Sequence, residues 1–376
     1  MYCLLNKDEL IAKFDIDQLL ESVVNVIEFK RLPNMFGDIR VFIKNRRAPK
    51  HRENIKKLLE LSGCDTLRGF LDVAHALSLV DTFWVKQEGS KLRWEDVSLY
   101  THPFDEAIAK TAFEGGLHGI GFSTTSPEYG TDGSFAKCWI REGQQIKMLK
   151  RGSSGASNAG LEPYSEYYAS QVVKLFTDNY VYYGLRSKSG RICSVCNIFT
   201  SEDYGYVPYA AVDSGNTSID LILENAEELN VQDEIKTMFV LDAVIMNTDR
   251  HKNNFGFIMD NRTLKLVGAA PLFDHNLALL PYAVEEKEFE YGGEYYRDHG
   301  PRIGDDWVNI AVACLTPRTR KVLINMRGFE FTRHAKFNLP EWRLKALEHE
   351  MQDIIQAILD KDALYTKQIA VRSNIF

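Results

Sequence analysis

Apolar residues recur at three-to-four spacing in several stretches of the chain, and each such stretch predicts an amphipathic helix. Residues 54–61 place Ile55, Leu58, Leu59 and Leu61 in that rhythm, and residues 67–80 place Leu67, Phe70, Leu71, Ala74, Leu77 and Leu79. Residues 1–104 therefore read as a mainly helical accessory segment, with His102-Pro103-Phe104 as its exit. A helix is expected from Glu162-Pro163 to about Phe176, since proline suits a first turn, and it should bury Tyr168, Val172, Leu175 and Phe176. Further helices are expected at 232–246, with Ile235, Met238, Phe239 and Ile245 on one stripe, and at 342–359, with Leu347, Met351, Ile354, Ile355 and Ile358.

Between these helices the pattern changes. Glycine, serine and threonine crowd residues 115–121 and 123–134, the second stretch punctuated by Pro127, Gly130 and Gly133, and a further loop is expected at 151–160. Short runs read as strands at 135–140 and 146–150 around a Gly143 turn. Two more are expected at 180–185 and 191–199, separated by Ser187-Lys188-Ser189-Gly190. A last hairpin joins 255–259 to 264–267 through Asp260-Asn261-Arg262.

At 376 residues the chain is long for one core, so two or three subdomains are expected. With 45% hydrophobic and 26% charged residues it has the composition of a soluble globular protein. No apolar run reaches the length of a membrane-spanning helix. Residues 1–17 alternate charge and apolarity too closely for a secretory signal, so a cytoplasmic protein without a membrane partner is expected. A net charge of -7, from 45 basic and 52 acidic residues, argues against direct nucleic-acid binding. Residues 44–57 are a local exception, gathering Lys44, Arg46, Arg47, Lys50, His51, Arg52, Lys56 and Lys57 as a solvated helix face or a dock for an acidic partner. Of the six cysteines, Cys193 and Cys196 form a C-x-x-C with no second pair at zinc spacing, so buried free thiols are expected.

The chemistry is concentrated later in the chain. Asn247-Thr248-Asp249-Arg250-His251 is followed by Asn254, and Asp274 closes Pro271-Leu272-Phe273-Asp274. A kinase-type phosphoryl transfer needs such a set: one Asp to accept the proton of the attacking hydroxyl, an Asn and a second Asp to hold magnesium on the phosphates. ATP and Mg²⁺ are the expected cofactors. Upstream, Lys150 ends a strand and shares a face with Ile146 and Met148, whereas Lys147 points to the other side. Lys150 is therefore the expected phosphate cation, with Glu166, read as a first-turn residue of the next helix, as its carboxylate partner. The loop 123–134 is a candidate phosphate cradle built from backbone N–H groups. His251 and His275 raise zinc as an alternative, but no H-x-x-x-H or H-x-x-E-H is present, and oxygen ligands suit magnesium. His251 is expected to brace the catalytic loop. No G-x-S-x-G is present, which argues against a serine hydrolase.

Together the motifs around Asp249 and Asp274 resemble the signature of HipA-like serine/threonine kinases, the bacterial toxin kinases and their cell-translocating relatives, over about residues 130–280. The resemblance implies an α+β, two-lobed protein-kinase-like fold related to phosphatidylinositol kinases. Its N-lobe would occupy 105–199, its largely helical C-lobe 200–376, and residues 1–104 would be a helical N-terminal extension. It also implies site roles: Asp249 as catalytic base, Asn254 and Asp274 as magnesium ligands, and Lys150 with Glu166 on the ATP phosphates. Val195-Cys196-Asn197-Ile198-Phe199-Thr200 would be the adenine linker, with Cys196 and Ile198 at the nucleotide. Gly130-Thr131-Asp132-Gly133-Ser134-Phe135-Ala136-Lys137 would be the phosphate loop, through Gly130, Gly133 and Ser134. Autophosphorylation, a protein substrate with a Ser or Thr acceptor, and a small helix-turn-helix antitoxin partner belong to the same expectation. A small-molecule or lipid kinase on this fold, and a nucleotide-binding pseudokinase, are the alternatives. Phosphate on Ser123, Thr124, Thr125, Ser126, Thr131 or Ser134 is expected to repel the ATP phosphates and expel the loop.

Overall fold

A computed structural model describes residues 1–116, 118, 124–155, 158–213, 215 and 218–373. Ser123, one of the loop hydroxyls named above, lies outside the described residues, as do parts of the loops at 115–121 and 151–160. The chain divides into two compact units. The first comprises Met1–Ser153, Arg186–Ser214 and Gly256–Val267, and the second Ser154–Leu185, Gly215–Phe255 and Gly268–Phe376.

The first unit opens with strands β1 (Tyr2–Asn6), β2 (Glu9–Asp17) and β3 (Ser22–Glu28), joined later by β4 (Phe83–Gln87) in the order β3-β2-β1-β4. Pairing is antiparallel, with Tyr2 opposite Phe14 on one side and Gln87 on the other. Ile11, Ala12 and Phe14 of β2 are buried, and they share a core with α1 (Ile39–Asn45), α2 (Ile55–Ser62) and α3 (Leu67–Val73) through Ile43, Leu58 and Phe70. The expectation of a mainly helical segment to residue 104 is corrected here: the helices are accompanied by a four-stranded sheet. Strands β1 to β3 form a local meander within the alternating N-terminal residues, and only β4 pairs with β1 from far along the chain. The helix read over 67–80 also ends early, at Val73. His75 and Ala76 adopt left-handed φ values of 51° and 49°, and Arg46 Nε donates to Ala76 O at 2.6 Å. Leu77 and Leu79 are buried, as their apolar character demands, but on extended chain leading to β4.

After α4 (Trp94–Val97) and α5 (Glu106–Glu114) comes the hairpin β5 (Lys137–Glu142) and β6 (Gln145–Arg151), turning at Gly143 as expected. Strands β7 (Tyr183–Lys188) and β8 (Arg191–Asn197) complete the sheet β5-β6-β8-β7. Ser189 and Gly190 between them have φ of 53° and 74°, the conformation a two-residue hairpin turn requires. A third sheet contains β9 (Tyr204–Pro208), β10 (Gly256–Asp260) and β11 (Lys265–Ala269), and the short α7 (Tyr209–Val212) follows β9. The β10–β11 hairpin was legible from its alternation, while β9, which pairs with β10, was not.

The second unit is largely helical. It holds α6 (Glu162–Phe176), α8 (Ile219–Glu228), α9 (Gln232–Val244), α10 (Glu294–Asp298), α11 (Trp307–Ala313), α12 (Pro317–Asn325) and α13 (Glu341–Ser373). Helix α6 has the expected limits and buries Tyr168, Val172 and Phe176. Leu175, expected inside, is 40% exposed although it shares the stripe of Tyr168 and Val172, because it lies in the last turn, one residue before the helix ends. Helix α9 is buried along most of its length, including Asp242, so it is a central helix rather than an amphipathic one. Leu347, Met351, Ile354, Ile355 and Ile358 of α13 are all buried, as their spacing requires. Among the described residues, no helix is long and apolar enough to cross a membrane.

Candidate active site

The strongest structural feature around the Asp249 motif is the fan of hydrogen bonds made by Arg250. Its guanidinium is buried and pairs with buried Asp242 of α9, Nε to Oδ2 at 2.8 Å and Nη2 to Oδ1 at 3.0 Å. Nη1 reaches Asn254 O at 2.6 Å and Phe273 O at 2.8 Å, and Nη2 lies 3.2 Å from His275 Nδ1. One side chain thus ties the loop of Asp249 and Asn254 to the turn that carries Asp274. Asn247 joins the network, donating from Nδ2 to Asp242 Oδ1 at 3.0 Å, while its own Oδ1 accepts from Asp249 N at 3.3 Å. Asp242 and Arg250 carried no assigned role in the sequence reading. The available signal was a carboxylate inside an otherwise apolar helix, which requires a buried cation as partner.

The backbone here is unusual. Met246, Asp274, Leu279 and Leu280 all have positive φ, between 47° and 58°. Non-glycine residues rarely adopt that region, and such outliers gather where surrounding structure holds them for function. Asp274 N donates to Tyr183 Oη at 3.1 Å, and Leu272 is bridged to Tyr180, with Val181 N donating to Leu272 O at 2.9 Å. Leu279 N donates to Ile245 O at 2.8 Å, which fastens the far side of the turn to the end of α9.

Asp249 itself is partly exposed. Its Oδ1 accepts from Arg302 Nη1 at 2.5 Å, and its Oδ2 lies 3.9 Å from His251 Nε2. His251 Nδ1 accepts from Asn253 N at 3.2 Å, two residues further on. Asn254 donates from Nδ2 to Asp249 O at 2.9 Å, which leaves its Oδ1 with no hydrogen-bond partner among the described residues. An amide oxygen so placed, beside a carboxylate on the adjoining turn, fits a magnesium ion that takes its remaining oxygens from phosphate and water. Among the described residues no three His, Cys, Asp or Glu side chains gather as a metal cage, which gives zinc no ligand set. Glu166 lies in α6, as expected, and is fully buried. It is the fifth residue of the helix, not a first-turn residue, so the helix dipole does not account for it and its charge needs a compensating group.

The remaining candidates lie in the first unit. Lys150 is 7% exposed in β6, opposite Lys137 of β5 and Ser194 of β8. Lys147 sits on the outer surface, 2.8 Å from Glu142. Ile146 and Met148 pack with Trp139 and Ile198, the face that Lys150 was expected to share. Cys196 pairs with Met148 in the ladder, and Ile198 N donates to Ile146 O at 3.0 Å. All six cysteines are free and all but Cys196 are buried, and burial pushes the Cys193 thiol up to about 11.

The phosphate-loop candidates are held from the N-terminal segment. Arg52, buried, donates to Glu128 O at 2.9 Å and to Thr131 O at 2.7 Å, and Glu53 N donates to Ser134 O at 3.0 Å. Burial lowers the Arg52 guanidinium to about 10, still charged at neutral pH. The fully buried Glu128 carboxylate, raised by that burial, accepts from Trp139 N at 2.9 Å and from the Ser126 hydroxyl. Gly130 has no room for a side chain, since a Cβ there would lie 2.7 Å from Leu77 O. Gly133 N donates to Asp132 Oδ1 at 2.7 Å, and Lys137 Nζ to Asp132 O at 2.7 Å. The basic run at 44–57 therefore divides. Arg46, bidentate to Asp81 at 2.7 and 2.9 Å, and Arg52 are buried braces, while Lys44, Lys50, His51, Lys56 and Lys57 are exposed.

No protein-family model matches this chain, and no curated protein matches it in sequence. Solved structures do. A Helicobacter pylori proinflammatory kinase, CtkA, aligns with a TM-score of 0.50 at 17% identity, covering 65% of this chain and 95% of its own. HipA of Shewanella oneidensis MR-1, solved as a toxin–antitoxin complex with HipB and operator DNA, aligns with a TM-score of 0.57 at 10% identity, covering 95% of this chain and 96% of its own. The chain therefore has the α+β fold of HipA-like kinases, in agreement with the resemblance read from its motifs.

Proposed function

We propose that the chain is an ATP- and Mg²⁺-dependent serine/threonine protein kinase of the HipA type. The observation that carries this reading is the Arg250 fan, which binds the Asp249–Asn254 loop and the Asp274 turn into one unit. In the reaction, an acceptor hydroxyl loses its proton to the Asp249 carboxylate as its oxygen bonds to the γ-phosphorus. The bond to the β,γ-bridging oxygen breaks, and its electron pair leaves with ADP. Magnesium, when bound through Asn254 and Asp274, supplies charge neutralisation on the phosphates. Lys150 would bind the phosphates, and the backbone from Cys196 to Ile198 would receive adenine. Glu166 would support the nucleotide half.

Ser126 and Thr131 are poor acceptors for autophosphorylation. The Ser126 hydroxyl is spent on Glu128, and Thr131 Oγ1 both donates to Pro127 O at 2.7 Å and accepts from Trp139 Nε1 at 2.9 Å. Ser134 and Thr124 are both exposed, but Thr124 Oγ1 donates to Asp105 Oδ2 at 3.3 Å, so we assign Ser134 as the loop hydroxyl open to phosphate. The near-complete overlap with HipA extends the proposal to a cytoplasmic kinase working beside a small DNA-binding antitoxin.

The test is incubation with labelled ATP followed by mass spectrometry of the chain and of added protein. Asp249→Ala should lower transfer by about a thousandfold, within the range of a lost general base, while nucleotide affinity stays within about threefold. Labelling undiminished in that variant would overturn the assignment, and label found only on small molecules or lipids would replace the acceptor class.

A further inference from the structure

Resting on the kinase reading above, we propose that Arg302 is a catalytic residue that donates to the phosphoryl group in flight. Its guanidinium approaches Asp249 Oδ1 at 2.5 Å, although 53 positions separate the two residues. The segment that delivers it is fastened on both sides. Pro301 and Ile303, with Trp307, line a cavity of about 10 Å³ whose other wall includes Asp242, Asn247 and Arg250. Ile303 is buried. Gly304 has a φ of +91°, a conformation that strains other residues, and a Cβ there would meet Ile310 Cδ1 at 2.5 Å, so a substitution would have to displace the Ile310 side chain. Asp306 then caps α11, accepting from Asn309 N at 2.8 Å. Arg302 therefore reaches Asp249 from an anchored backbone, not from a loose one.

Its donors are mostly unspent. Among the described residues Asp249 is the only hydrogen-bond partner of Arg302, and the side chain is 57% exposed. A guanidinium has five N–H donors, so four remain for a ligand. Asp249 has a second oxygen, Oδ2, with which to receive the acceptor proton. An acceptor hydroxyl at Oδ2 would sit about 3 Å from it, and the phosphorus about 3–3.5 Å beyond in a near-attack geometry. The equatorial phosphoryl oxygens then pass within reach of the Arg302 fork. Charge spreads over those oxygens as the acceptor O–P bond forms and the bridging O–P bond breaks, and the proton leaves on Asp249. A planar cation there stabilises the transition state more than the ground state.

The experiment compares the full-length wild-type chain with Arg302→Ala and Arg302→Lys, measuring steady-state phosphotransfer from Mg-ATP and binding of ADP with and without aluminium fluoride. Loss of one such donor predicts a kcat about a hundredfold lower in Arg302→Ala, with KM for ATP within about threefold. Arg302→Lys keeps the charge without the fork and should recover part of that loss. Wild type should bind ADP–aluminium fluoride more tightly than ADP, and Arg302→Ala should lose the difference while keeping ADP affinity. Unchanged or raised kcat in Arg302→Ala would overturn the proposal, the second result marking Arg302 as a block on the base. Arg302→Lys decides the matter if the alanine variant fails to fold: full activity with undiminished aluminium fluoride discrimination would overturn it. A wild-type chain that neither turns over ATP nor discriminates aluminium fluoride would overturn the kinase reading itself, and this inference with it.

Discussion

Residues 242–275 and residues 126–137 each carry proposed site residues, and their principal braces differ. In the first, Arg250 reaches Asp242 eight residues upstream and Phe273 twenty-three residues downstream, so the segment braces itself. In the second, anchors come from distant chain: Arg52 on Glu128 O and Thr131 O, Glu53 N on Ser134 O, and Leu77 O against Gly130. A self-braced segment keeps its geometry wherever its fold forms. An externally braced loop inherits its geometry from the N-terminal segment, so under the proposed function residues 52, 53 and 77 would bear on nucleotide through this loop.

The sharpest break of that comparison is Asp242→Ala. It leaves the Arg250 charge buried and unpaired, a change that costs about 3–5 kcal/mol when a buried pair loses one partner. Denaturant unfolding should show that loss, and phosphotransfer should fall with it. A variant of unchanged stability would mean that the segment is not self-braced. Next in size is Arg52→Ala, which frees the loop while leaving the Asp249 segment intact. KM for ATP should rise about tenfold with kcat within about threefold, as expected when binding shared by ground and transition states is removed. An unchanged KM would show that the external brace does not matter to nucleotide.

The smallest effect is a control outside both parts. Glu350 of α13 is buried with neither carboxylate oxygen hydrogen-bonded among the described residues, and burial, with Asp353 adding to it, pushes it up to about 8 from an ordinary 4.5. Because the folded state resists ionising this group, its stability is undiminished below the unfolded value near 4.5 and is lost as pH rises through about 8. Glu350→Gln should therefore come closest to wild type at about pH 4, below the unfolded value, and exceed it at pH 8.5 by on the order of 2 kcal/mol in chemical denaturation. KM for ATP at pH 6 should not move. Equal stability of the two chains at both pH values would refute the burial argument.

What could be read in advance follows the same division. The α6 limits, the β5–β6 hairpin and the buried stripe of α13 were legible because each depends on a local rhythm and a local turn. In the β3-β2-β1-β4 sheet only the place of β4 is non-local, since it joins β1 across some eighty residues, whereas the alternation of residues 1–17 belongs to consecutive strands and was weighed only against a secretory signal. Leu175 and the early end of α3 failed for a related reason: which apolar residue faces the core, and where a helix yields to extended chain, depend on what packs against them.

The sequence by itself carried the proposal for Asp249, Asn254 and Asp274, since proton acceptance and oxygen ligation would depend on residue type and on spacing within one loop and one turn. It also determined the helices and hairpins that these residues hang from. Tertiary structure alone decided that Arg250 and Asp242 hold that loop to that turn, that Arg52 and Glu128 hold residues 126–137, and that Arg302 meets Asp249. Buried charge finding its partner selects the first two, and the anchored backbone around Ile303 and Gly304 delivers the third.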